Sequence, residues 1–309
     1  MRAEHLLWLA ILTLVAFLPE GVFAKDAEWH RYENGYFIAY SDASAKKTRS
    51  ILEGLEKFRV AASQAANVRV PESAAKTEVL IFDSRKDYFA ISPGKNTSAF
   101  ALSGLGQFRI VMRASGQSDT DLQTVRHEYT HVLLGHLSFR YPKWYDEGFA
   151  ELVSTIRFIK KDSQFVMGEP PLGVLYSRGD GFDWNRLVAE GWNNETMHSG
   201  KVNDAYMQSW LLTHYAMIGK EFENYEKFLQ YLRAWVSGEP PLSAFEQAFG
   251  MDANSLWKNE LKSYSRNVVA LVYDFESEEL DLDFTRSVAD SGYVRSVIDE
   301  ISANVIRVR

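Results

Sequence analysis

The sequence predicts an α+β protein: a small N-terminal α/β layer with a mixed sheet, followed by a mainly helical C-terminal half. Three observations lead there. Short apolar runs bounded by turn residues fill the first third, from Trp29 to Ala114. From Ser118 onward, apolar residues recur instead at three- and four-residue spacing, the helical period. The 309 residues, 46% hydrophobic and 14% aromatic, have the composition of a globular protein with a large core. No internal repeat, low-complexity tract or flexible linker separates the two parts. The chain therefore divides into residues 1–24, 25–115, 116–266 and 267–309, with the boundary near 115 a change of layer within one unit.

Residues 1–24 have the layout of an export signal. Arg2 precedes an apolar run from Leu6 to Leu18, and the small residues Val22 and Ala24 place cleavage after Ala24. The run is too short to span a bilayer comfortably, and no later stretch is apolar enough, so no stable membrane insertion is expected after cleavage. Cleavage removes Arg2, Glu4 and Glu20 and moves the formal charge from -7 to -6. A mildly acidic chain without a basic stripe excludes nucleic acid as a natural partner. Cysteine is absent. An exported chain of this kind has no disulfide framework and binds metal only through His, Asp and Glu.

After the signal, "WHRYENGYFIAYSD" predicts a hairpin turning at Asn34-Gly35, a pair that tolerates the positive φ of a two-residue turn. A helix follows over about 43–66, where Ile51, Leu55, Phe58 and Ala62 form one apolar stripe. Thr77 to Asp83 is a strand, and a second hairpin turns around Ser103 to Gly106. If its outgoing strand, Gln107 to Arg113, lies at the sheet edge, a peptide could pair with it through main-chain bonds. Helices are expected at about 120–137, 143–158, 183–190, 203–218, 221–236, 241–249 and 252–265. The Gly- and Pro-bearing stretch from Lys160 to Phe182 is a loop with at most a hairpin. The tail after Asn267 begins strand-like and then concentrates Asp274, Glu276, Glu278, Glu279, Asp281 and Asp283 in what the charge density predicts to be a solvated loop.

The chemistry sits in "TVRHEYTHVLLGH". Ser118 can cap the helix, and Leu122, Val125, Tyr129, Val132 and Leu133 form its apolar stripe. At 100° per residue, His127 and His131 fall on the opposite side, one turn apart, where two imidazoles can hold one ion. Glu128 beside them can reach a water on that ion, which is why H-E-x-x-H carries the mechanism of a zinc hydrolase. A catalytic zinc needs a third protein ligand. His136 falls near the helix end, where a packed or end-capping role suits it better. A carboxylate must therefore complete the set. Further on, "YPKWYDEGFAEL" starts a second helix at Pro142 and puts Glu147, sixteen residues beyond His131, and Glu151 one turn apart on one face. One of them can bind the metal while the other holds a ligand in place. Trp144 and Phe149 are expected to pack and fix this helix.

"HEYTH" followed by "WYDEGFAE" resembles the gluzincin metallopeptidases, most closely their peptidase MA-like branch, with the pattern HExxH followed by WxxEGxAE. The resemblance runs from about Phe37 to about Tyr264. It implies a zincin-like fold, Zn2+ as cofactor, Glu147 as third ligand, and Glu151 as the acid that orients a histidine. It also implies a peptide or protein substrate and a bacterial envelope location, periplasmic or secreted. With neutral His127 and His131 and anionic Glu147, such a site keeps a net charge near +1 and acidifies bound water towards a pKa of about 7. Glu128 would take that water's proton and pass it to the leaving amine. Tyr206 is the first candidate to donate to the developing oxyanion, by analogy with related peptidases, and His214 the second. Two alternatives share these residues: a zinc-binding scaffold without turnover, which would not need Glu128, and a zinc hydrolase of a non-peptide amide.

Overall fold

A computed structural model describes residues 28–308 except 72–73, 95–96, 105–106, 137–139, 172–178, 190–200 and 220–222. The export signal expected at residues 1–24 thus lies outside the described residues, as does the tip of the second hairpin. The fold is α+β, as the sequence predicts.

The first third builds a six-stranded mixed sheet. Strands β1 (His30–Glu33) and β2 (Phe37–Ser41) form the predicted hairpin, and helix α1 (Ala45–Ala66) crosses over to β3 (Thr77–Phe82), parallel to β2. After α2 (Arg85–Ile91), β4 (Ala99–Gly104) and β5 (Gln107–Arg113) pair antiparallel, and β5 lies parallel to β3. The order is β4-β5-β3-β2-β1-β9, where β9 (Thr285–Val288) comes from the tail. Every residue of β3 is buried because both faces of the sheet are covered, which explains its unbroken apolar run. One face packs on α1 and the helical half. The other carries Leu80, Phe82 and Val111 against α2 and against Val294, Val297, Ile298 and Ile301 of α11 (Ser291–Val308).

Two local expectations change. Neither Asn34 nor Gly35 has a positive φ. Asn34 instead folds the turn through its side chain, Oδ1 accepting from Tyr36 N at 3.0 Å and Phe37 N at 2.8 Å. Gly35 is needed for a close approach: its N–H donates to Asp281 Oδ2 at 2.7 Å, and a Cβ there would lie 3.0 Å from that oxygen. Second, β5 is not an edge strand. The edges are β9 and β4, and β4 packs on helix α3 (Asp119–Gly135).

The helical half runs α3, α4 (Lys143–Ser154), α5 (Trp184–Ala189), α6 (Lys201–Met217), α7 (Glu223–Val236) and α8 (Pro241–Phe249). Then α9 (Ala253–Leu256) continues through one π turn, Trp257–Leu261, into α10 (Lys262–Tyr264). Helix α4 stops four residues before its predicted end, and the chain enters a small antiparallel sheet of β6 (Arg157–Ile159), β7 (Gln164–Met167) and β8 (Leu271–Asp274). The acidic tail wraps α1 with its backbone. The buried pair Glu56–Arg59, at 2.7 Å, receives Asp281 N on Glu56 Oε1 and donates from Arg59 Nη2 to Glu279 O, both at 2.8 Å. Among the described residues, no helix is long and apolar enough to cross a membrane.

Candidate metal centre

Helix α3 begins where Ser118 Oγ accepts from Asp121 N, and it buries Val125, Tyr129, Leu133 and Leu134 against the core. Val132 departs from the predicted stripe: it is half-buried and lines the cleft with His131. His136 is exposed and takes the helix C-cap position. Helix α4 packs across α3 and presents its acidic face to the two histidines. Its other side meets α6 so closely that a Cβ at Gly148 would run into Ser209 O and Thr213 Oγ1. Glycine at that position brings α6, and with it Tyr206, up to the cluster. Trp144 and Phe149 are buried in the aromatic packing behind α4.

His127, His131 and Glu147 converge. His127 Nε2 lies 3.2 Å from His131 Nε2 and 3.3 Å from Glu147 Oε2, and His131 Nε2 lies 3.4 Å from the same oxygen. Three atoms bound at about 2.0–2.1 Å to one tetrahedral ion stand about 3.3–3.4 Å apart, so this triangle fits the face of a zinc coordination sphere. A proton on one nitrogen satisfies only one edge of the triangle, whereas a cation satisfies all three atoms. The group could hold a metal ion.

The remaining ring nitrogens also face carboxylates. His127 Nδ1 is 3.3 Å from Glu151 Oε1, and His131 Nδ1 is 3.3 Å from Asp146 Oδ1. Glu151 thus meets a histidine, as expected, whereas the Asp146 partner of His131 is not foreseen from the sequence. Asp146 stands about 100° around α4 from Glu147 and about 140° from Glu151, so the spacing that pairs those two leaves it out, and its meeting with His131 depends on the crossing of α3 and α4.

The electrostatics follow from this crowding. Burial disfavours the charged form of each histidine, yet the carboxylates outweigh it: Glu147 and Glu151 hold His127 at about 9, and Asp146 and Glu147 hold His131 at about 10. Burial pushes Glu147 up, but the two imidazoles draw it down to about 2. The cluster is thus balanced by protons that a metal ion can replace.

Glu128 and Tyr206 each line both halves of the cleft that runs past the cluster. One half, about 380 Å³, includes Thr124, Glu151, Pro171 and Met207; the other, also about 380 Å³, includes Phe108, Val132 and Asp146. The Tyr206 ring lies 5.8 Å from that of His127, edge to face. Burial, then the charges of Glu147, Glu128 and Glu151, raise its hydroxyl to about 12. His214 is not brought to the site. It is fully buried, with Nε2 3.1 Å from Gly168 O and 3.0 Å from Val269 O and Nδ1 2.6 Å from the Tyr264 hydroxyl, and burial lowers it to about 4.

No family model matches the chain, and no curated protein matches it.

Proposed function

We propose that the chain is an exported zinc-dependent metallopeptidase, with His127, His131 and Glu147 as the metal's ligands and Glu128 as its general base. The observation that carries this reading is the near-equilateral triangle of ligand atoms on the floor of a cleft that Glu128 also lines. Bound zinc supplies Lewis acidity, which acidifies water and polarises a carbonyl. The chain's own groups do the rest. Glu128 takes a proton from the attacking water and returns it to the leaving amine. Tyr206, held in its neutral form at physiological pH, keeps a hydrogen to donate to the oxyanion. Glu151 and Asp146 fix the tautomer and orientation of the two imidazoles. The edge strand β4, packed on α3, is the main-chain partner for an extended peptide, in the place first given to Gln107–Arg113. Export rests on residues 1–24, and a secreted product beginning at Lys25 is the expected mass.

The test is Glu128→Gln, which keeps shape and volume but removes the base. Zinc content and folding should match the wild type while hydrolysis of a peptide library falls about 10²- to 10⁴-fold or more. A wild type that binds peptides with zinc present yet cleaves none of them would mark a scaffold instead. Cleavage of non-peptide amides alone would reassign the substrate.

A further inference from the structure

Behind α3, away from the catalytic cleft, lies a second cavity of about 200 Å³ between α1, β5 and α3, sharing no lining residue with the cleft. Its walls are apolar, with Leu55, Phe58, Met112, Leu122 and Val125 prominent. Two observations about it are independent of each other.

The first is Arg126. It is the one charged side chain lining the cavity among the described residues, and it is half-buried. Its guanidinium bonds only Ile156 O, at 3.3 Å, and sits 5.5 Å over the Phe58 ring; no described carboxylate pairs with it, Asp119 acting only at longer range. A half-buried guanidinium without a counter-charge loses part of its hydration uncompensated, and it presents a planar pair of donors suited to a carboxylate. The second is Gly54, in the middle of the 22-residue α1. A glycine there weakens a helix, and neither usual reason applies: its φ is not positive, and among the described residues nothing beyond its own turn of helix lies within 4 Å of where its Cβ would be. The missing side chain leaves open space at the lip of the cavity.

We propose that this cavity binds a monocarboxylate with an apolar body, the carboxylate on Arg126 and the body entering past Gly54. The size fits such a ligand: an apolar cavity of about 150 Å³ takes up benzene, so this one accepts a group somewhat larger, of about six to eight carbons. The site is separate from the proposed peptidase centre and does not depend on it.

Octanoate is the probe, titrated into the full mature chain by calorimetry, with octan-1-ol and octylamine as matched bodies lacking the negative charge. One octanoate per chain should bind saturably, and the alcohol and amine should bind at least about tenfold more weakly. Arg126→Met should remove that preference for the acid. Gly54→Leu should close the cavity and abolish binding while raising the melting temperature, because leucine is the better helix former, so loss of binding there is not loss of fold. Failure of octanoate to saturate at one site, equal binding of the amine, or parental affinity in Gly54→Leu would each overturn the assignment.

Discussion

The protein buries histidine in two different ways. At the α3–α4 crossing, His127 and His131 are ringed by Asp146, Glu147 and Glu151; on α6, His214 is ringed by two carbonyls and a tyrosine hydroxyl. Burial is common to both, so burial does not make a metal ligand. What differs is the neighbour. Carbonyls accept from a neutral ring and leave it neutral, and His214 falls to about 4; carboxylates stabilise positive charge at the same spot, and the pair rises to about 9 and 10. A site that favours a proton on each ring is also a site that favours a cation between them.

Exchanging the two environments by mutation should separate their roles most widely. His127→Ala should lower zinc affinity by more than about 100-fold, beyond the usual cost of losing an outer partner, while the metal-free fold survives. His214→Ala should leave zinc content intact and cost about 2–4 kcal/mol of stability, since it opens a void and strands Gly168 O and Val269 O. Elemental analysis and denaturant melts check both, and zinc loss in the second variant would break the contrast.

Acid should sharpen it. His214 is depressed in the folded state, so the unfolded chain binds its proton first as pH falls; stability is full above 6.5 and declines by roughly 3 kcal/mol as pH drops towards 4. In the metal-free protein the His127–His131 pair has the opposite sign: its stabilisation is present below 6.5 and is lost as pH rises through about 9 and 10. Melting of the chelated protein across pH, with and without His214→Ala, reads the two slopes.

Smaller effects should rank the acids. Glu151→Gln and Asp146→Asn should each weaken zinc about 10- to 100-fold, and Glu147→Gln by more. If Glu151→Gln costs more than Glu147→Gln, their roles are exchanged. The smallest signal is proton release: zinc binding at pH 7 should free about two protons, visible as a dependence of the calorimetric heat on buffer ionisation enthalpy.

Much of this is legible in local spacing. The stripe of α1 and the His127–His131 interval are properties of one helix, and one helix is what periodicity describes. Asp146 escapes because its partner sits on another helix, and the place of β5 inside the sheet escapes because strand order is a long-range property. Helix α2 is only seven residues, although Ser84 accepting from Asp87 N marks its start. In α11, Val294, Val297, Ile298 and Ile301 keep a helical spacing that the sequence does carry, behind the acidic run. Strand β9 had no signal, since all four of its residues are exposed.

That last strand sets a timetable. Its partner β1 lies about 250 residues before Thr285–Val288, so a chain exported N-terminus first brings β1 out well ahead of the strand that covers it. Until then β1 is an open edge, and Leu80, Phe82 and Val111 lack the α11 cover that arrives still later. An edge left bare for so long invites pairing with another nascent chain. A chain cut short after α10 would keep every residue of the His127–His131–Glu147 cluster and still carry an unsealed sheet, so residues 265–309 guard the sheet and not the cluster.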